Sequence, residues 1–205
     1  MLYDIQDRLI IEDYLPTIEV LKNFYKTSHI AFCEEIGKIQ SPLKDKLEKL
    51  KLQHQNDSFY CVCDEKEFMQ LEYLDNIIYH HLSSCLQSIV SLWENQMNDF
   101  YLLDRCIDYN SLKEKFLNDK YYDLNSDTKI DEIRQVYSYL KHGEFGNAES
   151  KLKKIKSRYY NNNGLNGEVR GKYFRNKLLN ISTNDIEYFA NTFINFWKKV
   201  LIKLN

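Results

Sequence analysis

Glycine and proline are scarce in this sequence, which has 6 Gly and 2 Pro among 205 residues. Because these residues mark turns, their scarcity predicts few turns and long helices. The sequence also shows no internal repeat and no convincing alternation of apolar and polar residues of the kind that strands require. The prediction is an all-α protein, a bundle with long antiparallel helices.

Long apolar runs are also missing, and the longest one is far shorter than the roughly 18 residues that suggest a membrane span. Met1-Leu2-Tyr3-Asp4 leads directly into charged residues, without the basic and apolar regions of a signal peptide. The five cysteines have no framework spacing, which argues against disulfides: Cys33, Cys61, Cys63, Cys85 and Cys106. We therefore expect a cytoplasmic protein that makes no membrane contact.

Sequence signatures of cofactor and metal sites are missing as well. With 6 Gly in the chain, a glycine-rich phosphate cradle is nearly excluded, and no P-loop, dinucleotide fingerprint or Ser-His-Asp pattern occurs. Cys61 and Cys63 are too close in sequence for a zinc knuckle. His80 and His81 are adjacent on a predicted helix, so one of them faces away from any shared ligand. We expect no cofactor and no metal.

The helices themselves are predicted from apolar spacing and capping residues. One helix spans about 16–40, with Pro16 in its first turn, and Ser41-Pro42 begins a second helix. A long helix covers about 65–103, and a short one covers 110–119. Asn125-Ser126-Asp127 breaks the chain and caps a helix that ends at His142, before Gly143, and Ser182 to Asp185 form a capping box for the last helix. We interpret residues 1–205 as one domain, with a helical extension over about 1–60 and a core bundle over about 65–205.

Basic residues cluster after His142. Between positions 141 and 177 there are ten basic and three acidic residues, a net charge of +7, whereas the whole chain carries -2. Tyrosines and a phenylalanine lie between them, and basic residues with interleaved aromatic rings are typical of RNA-binding surfaces. The alternative is a solvated basic helix on a near-neutral protein. The candidate RNA-binding residues are Lys141, Lys151, Lys153, Lys154, Lys156 and Arg158.

Several segments resemble the HEPN superfamily of helical bacterial proteins. Residues 73–78 and 88–94 are similar to the family's long helix, which carries an acidic residue, here Glu94. Residues 132–143, ending in Lys141-His142-Gly143, resemble its signature helix. Residues 112–124 and 191–198 are similar to its intervening and last helices, so the resemblance touches about half of the chain.

The resemblance implies a homodimer in which two signature helices face each other and cleave RNA without a metal. It assigns proton transfer to His142 and stabilisation of phosphate charge to Arg134. Ser138 occupies the polar position between them, and Glu94 orients Arg134 or His142 from the facing helix. Such proteins belong to toxin–antitoxin or antiphage-defence systems, which implies a partner protein. The position of His142 at a helix C-terminus suits a general acid better than a base.

The sequence departs from the family motif at two positions. Tyr137 stands where the family has Arg and Ser138 where it has Asn, so Arg134 lies eight positions before His142. At 100° per residue, Arg134, Ser138 and His142 still share one helix face. Eight rises of 1.5 Å separate Arg134 from His142 of the same helix by about 12 Å. An arginine and a histidine therefore reach one phosphate only if two antiparallel helices face each other, with Arg134 of one protomer beside His142 of the other.

Three hypotheses on the function follow. The first is a metal-independent RNA endonuclease, and the second is a catalytically inactive HEPN-like dimer that binds a partner protein or RNA. A helical nucleotide-binding module is the third. For single residues the alternatives are structural, since His142 before a glycine is also a common helix C-cap. Arg134 also suits a solvated or salt-bridged side chain, and Glu94 a solvated one.

Overall fold

The computed structural model describes residues 2–53, 62–101, 108–142, 147–159 and 179–204. These residues form an all-α fold, as predicted. The helices are α1 Leu2–Gln53, α2 Val62–Phe100, α3 Tyr109–Asn118, α4 Thr128–His142, α5 Ala148–Lys154 and α6 Asn184–Lys203. None of these helices is both long and apolar enough to cross a membrane. The predicted helix stop at Gly143 lies outside the described residues.

The first helix differs from its prediction. Helix α1 begins at Leu2 and runs through both Pro16 and Pro42, so Pro16 does not begin it and Ser41-Pro42 does not begin a second one. A proline inside a helix removes one backbone hydrogen bond and typically costs about 3 kcal/mol. Both prolines are exposed, as are Glu12 and Lys38, whose carbonyls lose that bond. Water can therefore solvate these carbonyls, and the helix continues.

Packing along the opposite face of α1 stabilises this continuous helix. Ile11, Ile18 and Ile36 are buried there, and the first two belong to the main hydrophobic core. The first half of α1 therefore contributes side chains to the main hydrophobic core.

Helices α1 and α2 form a long antiparallel pair. The contacts run in opposite directions along the two helices: the Gln96 side chain donates to the Tyr14 carbonyl, and Gln40 donates to Asp75 at 2.8 Å. Nearer the connection, Lys46 pairs with Glu67. Helix α6 packs along the first half of α1, where Lys26 pairs with Glu187 at 2.6 Å.

An aromatic core fixes α2 against α6. Trp93 of α2 stacks on Phe193 of α6 with ring centroids 4.4 Å apart and meets Phe196 edge-on at 5.4 Å. The Trp197 indole donates to the Gln96 side chain at 2.9 Å. Aromatic pairs of this geometry contribute about 0.5–1.5 kcal/mol each beyond their buried area, so this contact sets the relative position of the two helices.

The capping signals are realised at two helix starts. Asp127 accepts hydrogen bonds from the backbone of Lys129 and Ile130, both at 3.1 Å, and so caps α4. Before α6, the Asp185 carboxylate accepts from the Ser182 backbone N–H at 2.7 Å, which is the returning arm of the predicted capping box. Asp127 therefore marks the start of α4, whereas at α6 only this one arm of the capping box forms, and the N-cap residue Thr183 makes no side-chain cap bond.

Two histidines meet inside the α1–α2 pair. His29 is 2% exposed, and its Nδ1 lies 2.9 Å from Nδ1 of His81. Its Nε2 lies 3.5 Å from Sγ of Cys33. Burial lowers the pKa of His29, and the neighbouring His81 lowers it further. The folded state therefore binds a proton at His29 less readily than the unfolded state does.

This pair predicts a loss of stability in mild acid. Below the ordinary histidine pKa of about 6.5 the unfolded chain takes up a proton first, so stability falls as pH falls. Most of this loss falls in the one pH unit between about 6.5 and 5.5, where uptake of one proton by the unfolded chain lowers the free energy of unfolding by at most about 1.4 kcal/mol. The free energy of unfolding, measured with urea at pH 7.5 and 5.5, should fall less for His29→Gln than for wild type. His80→Gln, at an exposed histidine of α2, is the control; an equal fall in all three proteins would remove His29 as the cause.

Candidate functional site

The N-terminal cap of α3 determines which residues of that helix lie beside α4. Asp108 accepts from the backbone N–H groups of Asn110 and Ser111 at 2.9 and 3.2 Å, which starts α3 and puts Tyr109 in its first turn. Lys113 of α3 then reaches Asp131 of α4 at 2.7 Å. Tyr109 is therefore positioned beside α4.

Helix α4 has one buried face and one open face. Ile130, Ile133 and Val136 are fully buried in the core. Tyr139 is buried too, at 3% exposure, whereas Tyr137 and Leu140 are half-buried. Arg134, Ser138 and His142 follow each other at four-residue steps on the open side.

A cavity of about 280 Å³ lies between α2, α3 and α4. It brings together the four residues to which the sequence assigned catalysis: Glu94, Arg134, Ser138 and His142. Lys141 also lines it, together with Asp108 and Tyr109. Asp108 is engaged as the α3 cap and Glu94 with an arginine, so the polar groups that open into this cavity are mostly cationic or neutral.

Arg134 forms the floor of this cavity. Its guanidinium pairs with the Glu94 carboxylate and lies over the Tyr109 ring, with Cζ 3.7 Å from the centroid. The side chain is 20% exposed. Burial lowers the pKa of Arg134 to about 10, so the side chain remains cationic at neutral pH. The predicted alternative of a salt-bridged Arg134 thus describes its geometry in the single chain.

Tyr109 is a site residue that the sequence reasoning missed. Stacking of a guanidinium on an aromatic face is a favourable cation–π contact. The available signal was the Asp108 cap, which starts α3 immediately before Tyr109 and so turns its ring toward α4. The same tyrosine has a buried hydroxyl that finds no hydrogen-bond partner among the residues that the structure describes.

His142 and Lys141 lie at the open end of the cavity, and both are exposed. Lys141 Nζ is 5.6 Å from the Tyr137 ring centroid, and the Tyr137 hydroxyl lies 3.3 Å from Ser91 Oγ of α2. Tyr137 therefore ties α4 to α2 and supports Lys141. An imidazole and an ammonium group are thus accessible to the same ligand.

A larger groove of about 920 Å³ continues from the cavity. Both spaces are lined by Asp108, Tyr109, Arg134 and Ser138. Three of the predicted RNA-binding residues line the far wall of the groove: Lys151, Lys154 and Lys156. Two acidic residues of the groove are engaged, Asp131 with Lys113 and Glu132 with Ser157 at 2.5 Å. The groove therefore presents lysines next to the candidate catalytic residues.

Lys156 holds an unusual backbone position. After α5, the N–H of Ser157 donates to the carbonyl of Leu152 at 3.0 Å, and Lys156 has a φ of 51°. This is a Schellman motif, in which glycine normally takes the left-handed position. A lysine there costs conformational energy and directs its side chain along the groove wall.

The other predicted RNA-binding residues lie elsewhere. Arg158 donates to the Asp185 carboxylate at 2.8 Å and to the Tyr159 hydroxyl at 2.5 Å, so it anchors the start of α6. Lys153 is exposed on α5 but lines neither space. Within the described ranges, no three His, Cys, Asp or Glu side chains are arranged to hold a metal ion.

Comparison with protein-family models, with curated proteins and with solved structures gives no match to this chain. The resemblance to the HEPN superfamily therefore depends on the sequence segments quoted above, and the site has to be judged by its own geometry.

The Glu94–Arg134 pair predicts a specific pattern of stability changes. Glu94→Gln leaves a half-buried guanidinium without its counter-charge and should lower the free energy of unfolding by about 1–3 kcal/mol. Glu114→Gln, on the exposed side of α3, should change it by less than about 0.5 kcal/mol. Combining Glu94→Gln with Arg134→Met should recover part of the loss. Equal effects of Glu94→Gln and Glu114→Gln in urea unfolding would contradict the pairing.

Proposed function

We propose that this protein is a metal-independent RNA endonuclease that acts in a bacterial toxin–antitoxin or antiphage-defence setting. The observation that carries the proposal is the continuity between the His142 cavity and the lysine-lined groove. Lysines grip the phosphates of a single strand, while the cavity receives one phosphodiester beside an exposed imidazole and an ammonium group. The setting comes from the resemblance to the HEPN superfamily alone.

The proposed chemistry is transfer of the phosphate ester within the RNA strand. The 2′-oxygen attacks phosphorus, its proton passes to water, and the bond from phosphorus to the 5′-oxygen breaks. Protonated His142 donates its proton to that departing oxygen. Lys141 and Arg134 offset the negative charge that builds on the phosphoryl oxygens. The products are a 2′,3′-cyclic phosphate and a 5′-hydroxyl.

A homodimer completes this arrangement. Arg134 and His142 of one chain lie about 12 Å apart along α4, from eight rises of 1.5 Å. Two α4 helices packed antiparallel about a two-fold axis place Arg134 of one protomer beside His142 of the other. The open face of α4 is available for such a contact.

A second candidate function is binding without catalysis, either to RNA or to a partner protein. Arg134 favours this candidate, because Glu94 and Tyr109 already hold its guanidinium. The motif arginine is replaced by Tyr137, which contacts Ser91 rather than the cavity floor. The two candidates share the groove and differ in whether His142 transfers a proton.

Cleavage of labelled RNA in EDTA separates the two candidates. Wild type should release fragments that end in a 2′,3′-cyclic phosphate, and His142→Ala should lose at least about 100-fold in rate, as expected for a general acid. His80→Ala replaces an exposed histidine outside the cavity and should cleave like wild type. Cleavage by His142→Ala at the wild-type rate would exclude the role given to His142. Binding by wild type without cleavage would favour the second candidate.

The lysines of the groove predict how binding depends on salt. Changing Lys151, Lys154 and Lys156 to Gln should weaken binding of a single strand and flatten its salt dependence by about 0.7 in log–log slope for each phosphate that is no longer neutralised. Lys198, Lys199 and Lys203, which are exposed outside the groove, provide a control triple of equal charge change. Fluorescence anisotropy at several salt concentrations measures both slopes. If the two triples flatten the slope equally, the groove has no special part in binding.

A further inference from the structure

The α1–α2 pair extends well past the rest of the bundle. Lys22 of α1 contacts Asn191 of α6, and Lys26 contacts Glu187, so the two helices run antiparallel. Helix α6 begins at Asn184, three residues before Glu187, so it covers little of α1 beyond Lys26. Among the described residues, α3, α4 and α5 make no extended contact with α1. Residues 30–53 and 62–80 therefore form a two-helix projection, here called the arm.

The arm carries an apolar groove of about 740 Å³ along one side. Its apolar lining includes Ile39, Pro42, Leu43, Met69, Tyr73 and Leu74. Three of these are strongly exposed: Ile39 at 55%, Met69 at 61% and Tyr73 at 68%. Large contiguous apolar patches on a protein surface mark binding sites, because leaving them in water is unfavourable.

The two helices of the arm carry opposite charges. Residues 38–51 of α1 contain five lysines and two acidic residues, a net charge of +3, whereas residues 64–75 of α2 contain five acidic residues and one lysine, a net charge of -4. Lys49 lies seven residues after Pro42 and so shares its face of α1. Glu72 lies three residues after Met69, beside the same groove on α2.

We propose that a second copy of this chain covers the groove, with α1 of each arm packed against α2 of the other. Two helical hairpins joined in this way form a four-helix bundle, which buries the apolar stripes of all four helices. The two-fold axis brings the basic flank of one α1 against the acidic flank of the partner's α2, twice. Charges that flank an apolar seam set partner choice and orientation in helical assemblies.

This interface is separate from the candidate catalytic site. Met69 and Glu94 are 25 residues apart on the one helix α2, which corresponds to about 37 Å. Pairing of the arms therefore leaves α4 and the lysine groove accessible, and it does not depend on the proposed RNA chemistry.

The first test is the mass of the purified full chain in solution, measured by light scattering at micromolar concentrations with RNA absent. Met69→Gln with Tyr73→Gln should reduce the mass to about half that of wild type, because it removes the apolar seam. Ile202→Gln, at an equally exposed apolar residue of α6, should keep the wild-type mass. Circular dichroism should show the same helix content in all three proteins.

The second test exchanges the charges. Lys38→Glu with Lys49→Glu changes the net charge of residues 38–51 from +3 to -1, and Asp64→Lys, Glu65→Lys and Glu72→Lys together change that of residues 64–75 from -4 to +2. Each variant alone should have half the wild-type mass, while an equimolar mixture should recover it as a heteromer, because each α1 then meets an oppositely charged α2. A wild-type chain that is monomeric, or variants that keep full mass, would overturn the proposal and assign the groove to another occupant. Failure of the mixture to associate would do the same.

Discussion

Trp197 joins more of the structure than any other side chain described above. Its indole N–H donates to Gln96 of α2. Its ring packs against Tyr14 of α1 and Phe116 of α3, with ring centroids 5.0 and 6.2 Å apart. One residue near the end of the chain thus fixes three helices that come before it. Gln96 lies in the same turn of α2 as Glu94, so the packing of Trp197 also determines where the Glu94 carboxylate meets α4.

Helix α2 is the element that connects all parts of the molecule. Its second half is buried between α1 and α6 and carries Glu94 toward α4, whereas its first half runs along α1 in the arm. The His29–His81 contact lies at the transition between the two halves. A single long helix can therefore support a polar cavity at one end and an apolar docking groove at the other.

Local signals predicted much of this fold. The apolar spacing of α2, α4 and α6, the Asp127 cap and the short α3 appear at or near their predicted positions. The helix boundaries predicted from Pro16 and Pro42 were wrong, because the cost of a proline is local while the packing that overrides it comes from α2 and α6. Leu52 follows the apolar spacing of α1 and is nevertheless 62% exposed, since spacing indicates a face but not whether another helix covers it.

The candidate site was predictable in part. The four-residue steps of Arg134, Ser138 and His142 give a shared face by helix geometry, and the resemblance supplied Glu94 as a partner from the facing helix. The stacking of Tyr109 on Arg134 and the meeting of the cavity with the lysine groove were not predictable, because they depend on how α3 and α5 pack beside α4. Arg158 shows the converse: its charge suggested RNA binding, and its contacts show an anchor for Asp185.

Whether RNA enters the cavity at His142 can be read from NMR of the imidazole groups. A 2′-O-methyl RNA strand binds without being cleaved, so the ¹H–¹⁵N signals of the histidine rings can be followed as it is added. If RNA enters the cavity, the His142 signals should shift with the fraction of protein bound while those of His80 stay in place. Binding that leaves the His142 signals unchanged would contradict this placement of the RNA.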